Sequence, residues 1–94
     1  MELKDKDVLT YLFSKKIKPN LYGFNFLKDA ILLVAENPMY QHQICNMLYP
    51  KIAEMEKSTA SKVERAIRHA LENAKIKETN SHFIALAVID LTTK

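Results

Sequence analysis

The sequence predicts an all-α fold, a compact bundle of about six helices containing a helix-turn-helix. Three observations carry this. One glycine in 94 residues, against a usual share of about 7%, excludes glycine-rich phosphate loops, nucleotide-binding fingerprints and most tight hairpins. Apolar residues recur at spacings of three and four along most of the chain. Cap-forming residues or prolines flank these stretches. A composition of 48% hydrophobic and 27% charged residues is that of a soluble globule with a modest core, read as a single domain over residues 1–94.

Asp5 and Asp7 precede Val8, Leu9, Tyr11, Leu12 and Phe13, an acidic start followed by helical spacing that predicts a first helix ending near Lys15. Pro19, Asn20 and Gly23 then break the pattern. Phe24, Leu27, Ala30, Ile31, Val34 and Ala35 predict a second helix over 24–36, closed by Asn37 and Pro38. Met39, Ile44, Met47 and Leu48 predict a shorter third helix over about 39–48. Pro50, welcome only in a first turn, opens a fourth that runs through Glu56. Ser58 or Thr59 caps a long fifth helix reaching about Ala74, and Asn80 or Ser81 opens a last one to about Leu91.

The single Cys45 forms no internal disulfide, which is the pattern of a reducing compartment. The start lacks an apolar signal segment, and the longest apolar run, 83–89, is too short to span a bilayer. The expected location is therefore cytoplasmic, with no membrane partner. Fourteen basic against eleven acidic side chains leave +3, a modest preference for polyanions whose meaning depends on its placement.

That placement points to the fourth and fifth helices. A short helix, a turn of three or four residues and a longer helix follow one another over about 50–74, the order of a helix-turn-helix. Small Ala53 suits a steep, close crossing against Val63 and Ala66, whereas Lys57 stands where such turns often carry glycine. On a helical wheel Val63, Ala66, Ile67, Ala70, Leu71 and Ala74 share one side. Ser61, Arg65, Arg68 and Glu72 face the other way, flanked by Lys62, Glu64 and His69. Both arginines of the chain lie on this wet face, and residues 57–69 alone sum to +3. A second basic cluster, Lys15, Lys16 and Lys18, has the same formal charge.

An arginine fork can donate to O6 and N7 of guanine, glutamate can accept from cytosine N4, and Lys, Ser or Thr near a helix start can hold phosphates. Glu64, Arg65 and Arg68 therefore fit base reading in a major groove. Lys57, Ser58, Thr59, Ser61, Lys62 and His69 fit backbone anchoring. The alternative is a solvated face on which Glu64 pairs with Arg68, or Arg68 with Glu72, at helical spacing.

The run Leu48-Tyr49-Pro50-Lys51-Ile52-Ala53, followed by Ser58-Thr59-Ala60-Ser61-Lys62-Val63-Glu64-Arg65-Ala66-Ile67-Arg68-His69-Ala70, closely resembles the DNA-binding domain of the stage zero sporulation protein A response-regulator family. The similarity extends upstream through Tyr22-Gly23 and 27–31, and downstream to 79–85. It implies an all-helical domain that binds a TGTCGAA-type box in double-stranded DNA, often as tandem copies, with the fifth helix in the major groove. It also implies that Glu64, Arg65 and Arg68 face bases. Lys62 stands where the family usually has arginine, which keeps the charge and loses the fork.

Two departures bear on regulation. The family's receiver domain, with its phosphoacceptor aspartate, has no counterpart in these 94 residues. The helical segment that touches the sigma subunit of RNA polymerase is reduced to Lys75-Ile76-Lys77-Glu78. The expected mode is occupancy, as a repressor or competitor, with the polymerase contact curtailed. The alternative is a protein-interaction module that binds a partner regulator instead of DNA.

No other constellation carries chemistry. His42 and Cys45 supply two ligands where a tetrahedral zinc site needs four, so no metal is expected. Asp29, Glu36, Ser58 and Ser61 form no nucleophile, base and orienter set, so neither catalysis nor a cofactor is expected. The last helix is apolar almost all round, which predicts either burial on several sides or a homodimer contact through 80–91, as in tandem binding on DNA.

Overall fold

Asp5 and Asp7 lie in the first turn of α1 (Asp5–Ser14), where the Asp7 carboxylate accepts the backbone N–H of Lys4 at 3.4 Å and negative charge meets the positive helix end. In the computed structural model, which describes residues 3–93, five further α-helices follow: α2 (Tyr22–Glu36), α3 (Met39–His42), α4 (Tyr49–Glu56), α5 (Ala60–Asn73) and α6 (Asn80–Thr92). The expected all-α bundle is the one observed. α2 is its axis, with α1, α4, α5 and α6 packed around it. Phe24, Leu27, Ala30, Ile31 and Val34 of α2 join Leu12, Ile52, Ile67, Leu71 and Ile84 in one buried cluster. Among the described residues no helix is long and apolar enough to cross a membrane.

Three helices end in the same way. Lys16, Lys57 and Lys75 have φ of 65°, 53° and 61°, the left-handed conformation that normally selects glycine. After α1, Lys16 N–H donates to Phe13 O at 2.9 Å and Ile17 N–H to Leu12 O at 3.2 Å. After α5, Lys75 N–H donates to Glu72 O and Ile76 N–H to Leu71 O, both at 2.9 Å. In each case the next residue, Ile17 or Ile76, turns back onto the core. Carbonyls at the helix ends are thereby satisfied without glycine.

The third element differs from expectation. The 39–48 stretch is no single α-helix: Gln43, at φ −132° and ψ 52°, interrupts it, and Ile44–Leu48 form a π-helical turn that continues into α4. Leu48 N–H reaches back five residues to Gln43 O at 3.1 Å. Leu48 and Tyr49, at the junction with α4, are both buried in the core. α6 opens at Asn80, the first of the two residues expected to begin it, and its cap is Thr79, whose Oγ1 accepts from His82 N–H at 3.2 Å. α6 buries Phe83, Ile84 and Ala87, while Leu86 and Ile89 face outward.

The one glycine sits where α2 meets α5. A Cβ placed on Gly23 would lie 2.2 Å from Ala66 O and 2.7 Å from Ala70 Cβ, so the helix backbones approach as closely as the missing side chain permits. Gly23→Ala is expected to destabilise the fold by about 1–3 kcal/mol through overpacking, although the same change in an open helix gains about 1 kcal/mol. Denaturant unfolding of the two proteins measures the difference.

Asp29 is the buried charge of the core side of α2. Lys28 Nζ lies 3.7 Å from its Oδ1 and 3.9 Å from Asp5 of α1, but Oδ2 is buried with no hydrogen-bond partner. The neighbouring carboxyl of Glu56, from α4, can share a bond with it only when one of the two is protonated. Burial, then Glu56, push the Asp29 carboxyl up to about 7 against the pull of Lys28. An acid held above its unfolded value stabilises the fold in full below about pH 4, and that contribution is lost as pH rises through about 7. Asp29→Asn is therefore expected to raise stability at pH 8 by about 1–3 kcal/mol, with the gain shrinking at pH 5. Melting temperatures of both proteins across that range test it.

Candidate nucleic-acid interface

The helix-turn-helix is built from α4, the turn at Lys57–Thr59 and α5. Ile52 and Ala53 of α4 and Val63 and Ile67 of α5 are buried, with α4 packed on α5, and a residue as small as Ala53 suits a close crossing. Lys57 makes the turn by going left-handed, which brings Ser58 N–H to Ala53 O at 2.8 Å. Thr59 then caps α5, its Oγ1 accepting from Lys62 N–H at 3.2 Å. A hydroxyl so engaged still has its own proton to donate.

With Val63, Ile67, Ala70 and Leu71 buried, the opposite face of α5 must meet solvent, and Ser61, Lys62, Arg65, Arg68, His69 and Glu72 are all exposed. Arg65 forms the crest. Its Nε donates to Ser61 O at 3.4 Å, within its own helix. It also borders a hollow on each side of α5. One flank carries Lys62 and His69 and faces the first turn of α2. The other carries Ser61, Glu64 and Arg68 and faces Cys45 of the π-helical turn.

On the second flank Arg68 Nη2 lies 3.3 Å from Glu64 Oε1, with the Arg68 side chain still 54% exposed. The predicted Glu64–Arg68 pair thus exists, while among the described residues Arg68 and Glu72 form none. An exposed pair at this spacing contributes about 0.3–0.5 kcal/mol, too little to hold the guanidinium against a competing acceptor. Neither arginine is packed into the body of the protein.

The structure brings the predicted set together along one edge. Lys57 and Ser58 lead from the turn, Thr59 and Ser61 occupy the start of α5, and Lys62, Glu64, Arg65, Arg68 and His69 follow over the next two turns. The second basic cluster serves α1 instead: Lys16 takes the left-handed position and Lys15 Nζ lies 5.3 Å from the centre of the Tyr11 ring. Among the described residues no three His, Cys, Asp or Glu side chains gather as a metal site.

Two contributions to the site are invisible in local sequence patterns. Asn80, at the start of α6 and almost fully buried, donates from Nδ2 to Glu64 O at 3.1 Å and to Tyr49 Oη at 3.2 Å. One amide thereby ties α6 to both helices of the motif, at the level of the exposed arginines. Burial raises the Tyr49 hydroxyl above its ordinary value, so it stays a neutral partner. The second contribution is Tyr22, 82% exposed at the start of α2, which borders the Lys62 and His69 flank with Asn25. The asparagine next to a capping threonine reads as a helix start, and nothing in its own segment signals a bond to a residue sixteen positions away.

A family model described as sporulation initiation factor Spo0A C terminal matches residues 8–75. The match takes in most of α1 and the whole of α2 to α5, and with them the complete helix-turn-helix.

The left-handed Lys57 gives this turn a measurable strain. A non-glycine residue in that conformation costs about 1–2 kcal/mol, partly offset in a glycine variant by greater freedom of the unfolded chain. Lys57→Gly is expected to stabilise the domain by about 0.5–1 kcal/mol while removing a positive charge from the turn. Chemical denaturation reads the gain, and a loss of stability would contradict it.

Proposed function

Since the chain belongs to the Spo0A C-terminal family, whose domain is a DNA-binding domain of sporulation regulators, we propose that it recognises a TGTCGAA-type duplex box through α5. Glu64, Arg65 and Arg68 read base edges. Lys57, Ser58, Thr59, Ser61, Lys62 and His69 hold the flanking phosphates. The observation that carries this reading is the placement of both arginines of the chain on the exposed face of the second helix of the motif. Arg68 arrives with Glu64 already beside it, so the pair can present a donor fork and an acceptor together.

The mode of action in this reading is occupancy. Lys75 closes α5, Ile76 packs on the core, and only Lys77 and Glu78 remain before the Thr79 cap, which leaves little surface for a polymerase contact in the bridge. Outward-facing Leu86 and Ile89 on α6, the latter 55% exposed, favour a protein contact as well. We assign that face to a second copy of the chain on an adjacent box. If instead it serves a different regulator, a complex forms without DNA.

Fluorescence anisotropy with the box and a scrambled duplex, at fixed near-physiological salt, tests the reading. Arg65→Ala is expected to cost about 1–3 kcal/mol on the box and relax discrimination at one base, whereas Lys62→Ala weakens both duplexes alike and flattens the salt dependence. Equal losses from Arg65→Ala on both duplexes would exclude direct reading by that side chain.

A further inference from the structure

The first turn of α2 lies beside the face assigned to DNA for a structural reason: Gly23 brings its backbone against Ala66 O on α5. Tyr22 and Asn25, three residues apart, share one side of that turn. Both are exposed, and neither forms a side-chain hydrogen bond to another described residue. They border a groove with Lys57, Lys62, Arg65 and His69 on its other side. Glu56 at the end of α4 is the one acidic side chain there, so the groove is net positive.

This placement has a consequence for any duplex held by α5. An α-helix with its side chains is about 10–12 Å across and the major groove is about 12 Å wide, so an inserted helix fills it edge to edge. Whatever stands beside the helix then meets a sugar-phosphate ridge. On the Lys62 and His69 flank, the element standing there is the first turn of α2. Tyrosine hydroxyls and asparagine amides are ordinary phosphate donors, and an aromatic side chain 82% exposed contributes little to the fold.

We propose that Tyr22 and Asn25 form a second phosphate-binding element, donating from the Tyr22 hydroxyl and the Asn25 amide to the DNA strand that runs along the Lys62 side of α5. The inference rests on the DNA-binding reading above and extends the footprint from the helix-turn-helix to α2. Because both side chains are neutral, their contacts release no counterions. They are phosphate contacts, so they carry no base preference.

These properties separate the contribution of α2 from that of α5. Tyr22→Phe and Asn25→Ala are measured by anisotropy on the box and on scrambled duplex at two salt concentrations, beside wild type, Lys62→Ala and Arg65→Ala. Each of the two variants is expected to weaken binding about three- to tenfold, the scale of one hydrogen bond. The factor is the same on both duplexes and at both salt concentrations, with an unchanged melting temperature. Lys62→Ala, by contrast, alters the salt slope. Wild-type affinity in both α2 variants, with Arg65→Ala still losing discrimination, would overturn the α2 contact and leave the α5 reading standing. A loss confined to the box would also overturn it, since a phosphate contact cannot choose bases. Failure of the wild type to bind either duplex would remove both.

Discussion

The orientation of α5 depends on one close contact, the packing of Gly23 against Ala66 and Ala70. Backbones that approach this closely leave no room for α5 to roll, because any rotation drives Val63 or Ile67 out of the core and brings a charged neighbour in. Burying a charge without a partner costs far more than the few kcal/mol by which a small domain is stable. The rotation that buries Val63, Ile67, Ala70 and Leu71 is therefore also the one that puts Lys62, Arg65 and Arg68 in water. Asn80 reinforces it from the opposite side, since its bonds to Glu64 O and Tyr49 Oη are made only when α4, α5 and α6 share this register. The exposed basic face of α5 is thus an outcome of core packing around a position with no side chain.

Most of the fold was legible because its cause is local. The stripes of α2 and α5 repeat at helical spacing, Pro50 marks a first turn, and Thr59 does cap α5. What sequence reasoning missed depends on residues that are weak local signals. The ends of α1 and α5 fall within a residue of where the sequence puts them, but lysine has no intrinsic preference for the left-handed region, so the caps at Lys16 and Lys75 are not announced. A better signal is the isoleucine that follows each of them inside a polar stretch, Ile17 and Ile76, because an apolar residue just past a helix end packs back on its last turn. The π-helical turn at Ile44–Leu48 could not be read from periodicity, since one residue inserted into a helical repeat leaves the spacing of Ile44, Met47 and Leu48 compatible with an ordinary α-helix.

The site divides along the same line. A wheel drawn on α5 separates its wet face from its buried one without tertiary information, and the exposed arginines follow from it. The same wheel also allowed the Glu64–Arg68 pair, and the structure has both the pair and the exposure. These are compatible, because a pair that weak orients a side chain without sequestering it. Tyr22, Asn25 and Asn80 come beside α5 only through the packing of α2 and α6 on it. Their positions beside α5 had no counterpart in spacing, and Gly23, read in the sequence as a helix breaker, lies instead in the first turn of α2, where its missing side chain lets α5 come close.

The basic charge of the chain has two separate physical origins. Lys16, Lys57 and Lys75 all stand just past the C-terminal end of a helix, where a cation meets the negative end of the dipole and recovers about 0.3–1 kcal/mol of the cost of a left-handed lysine. Only Lys57 of the three also lines the groove beside Arg65; Lys16 and Lys75 offset helix ends elsewhere. A net charge of +3 consequently says little about binding by itself. On α5 the cations that neither the core nor a helix end uses are Lys62, Arg65 and Arg68. They share one exposed face on a helix that Gly23 and Asn80 hold in place, which gives that face a fixed geometry as well as a sign.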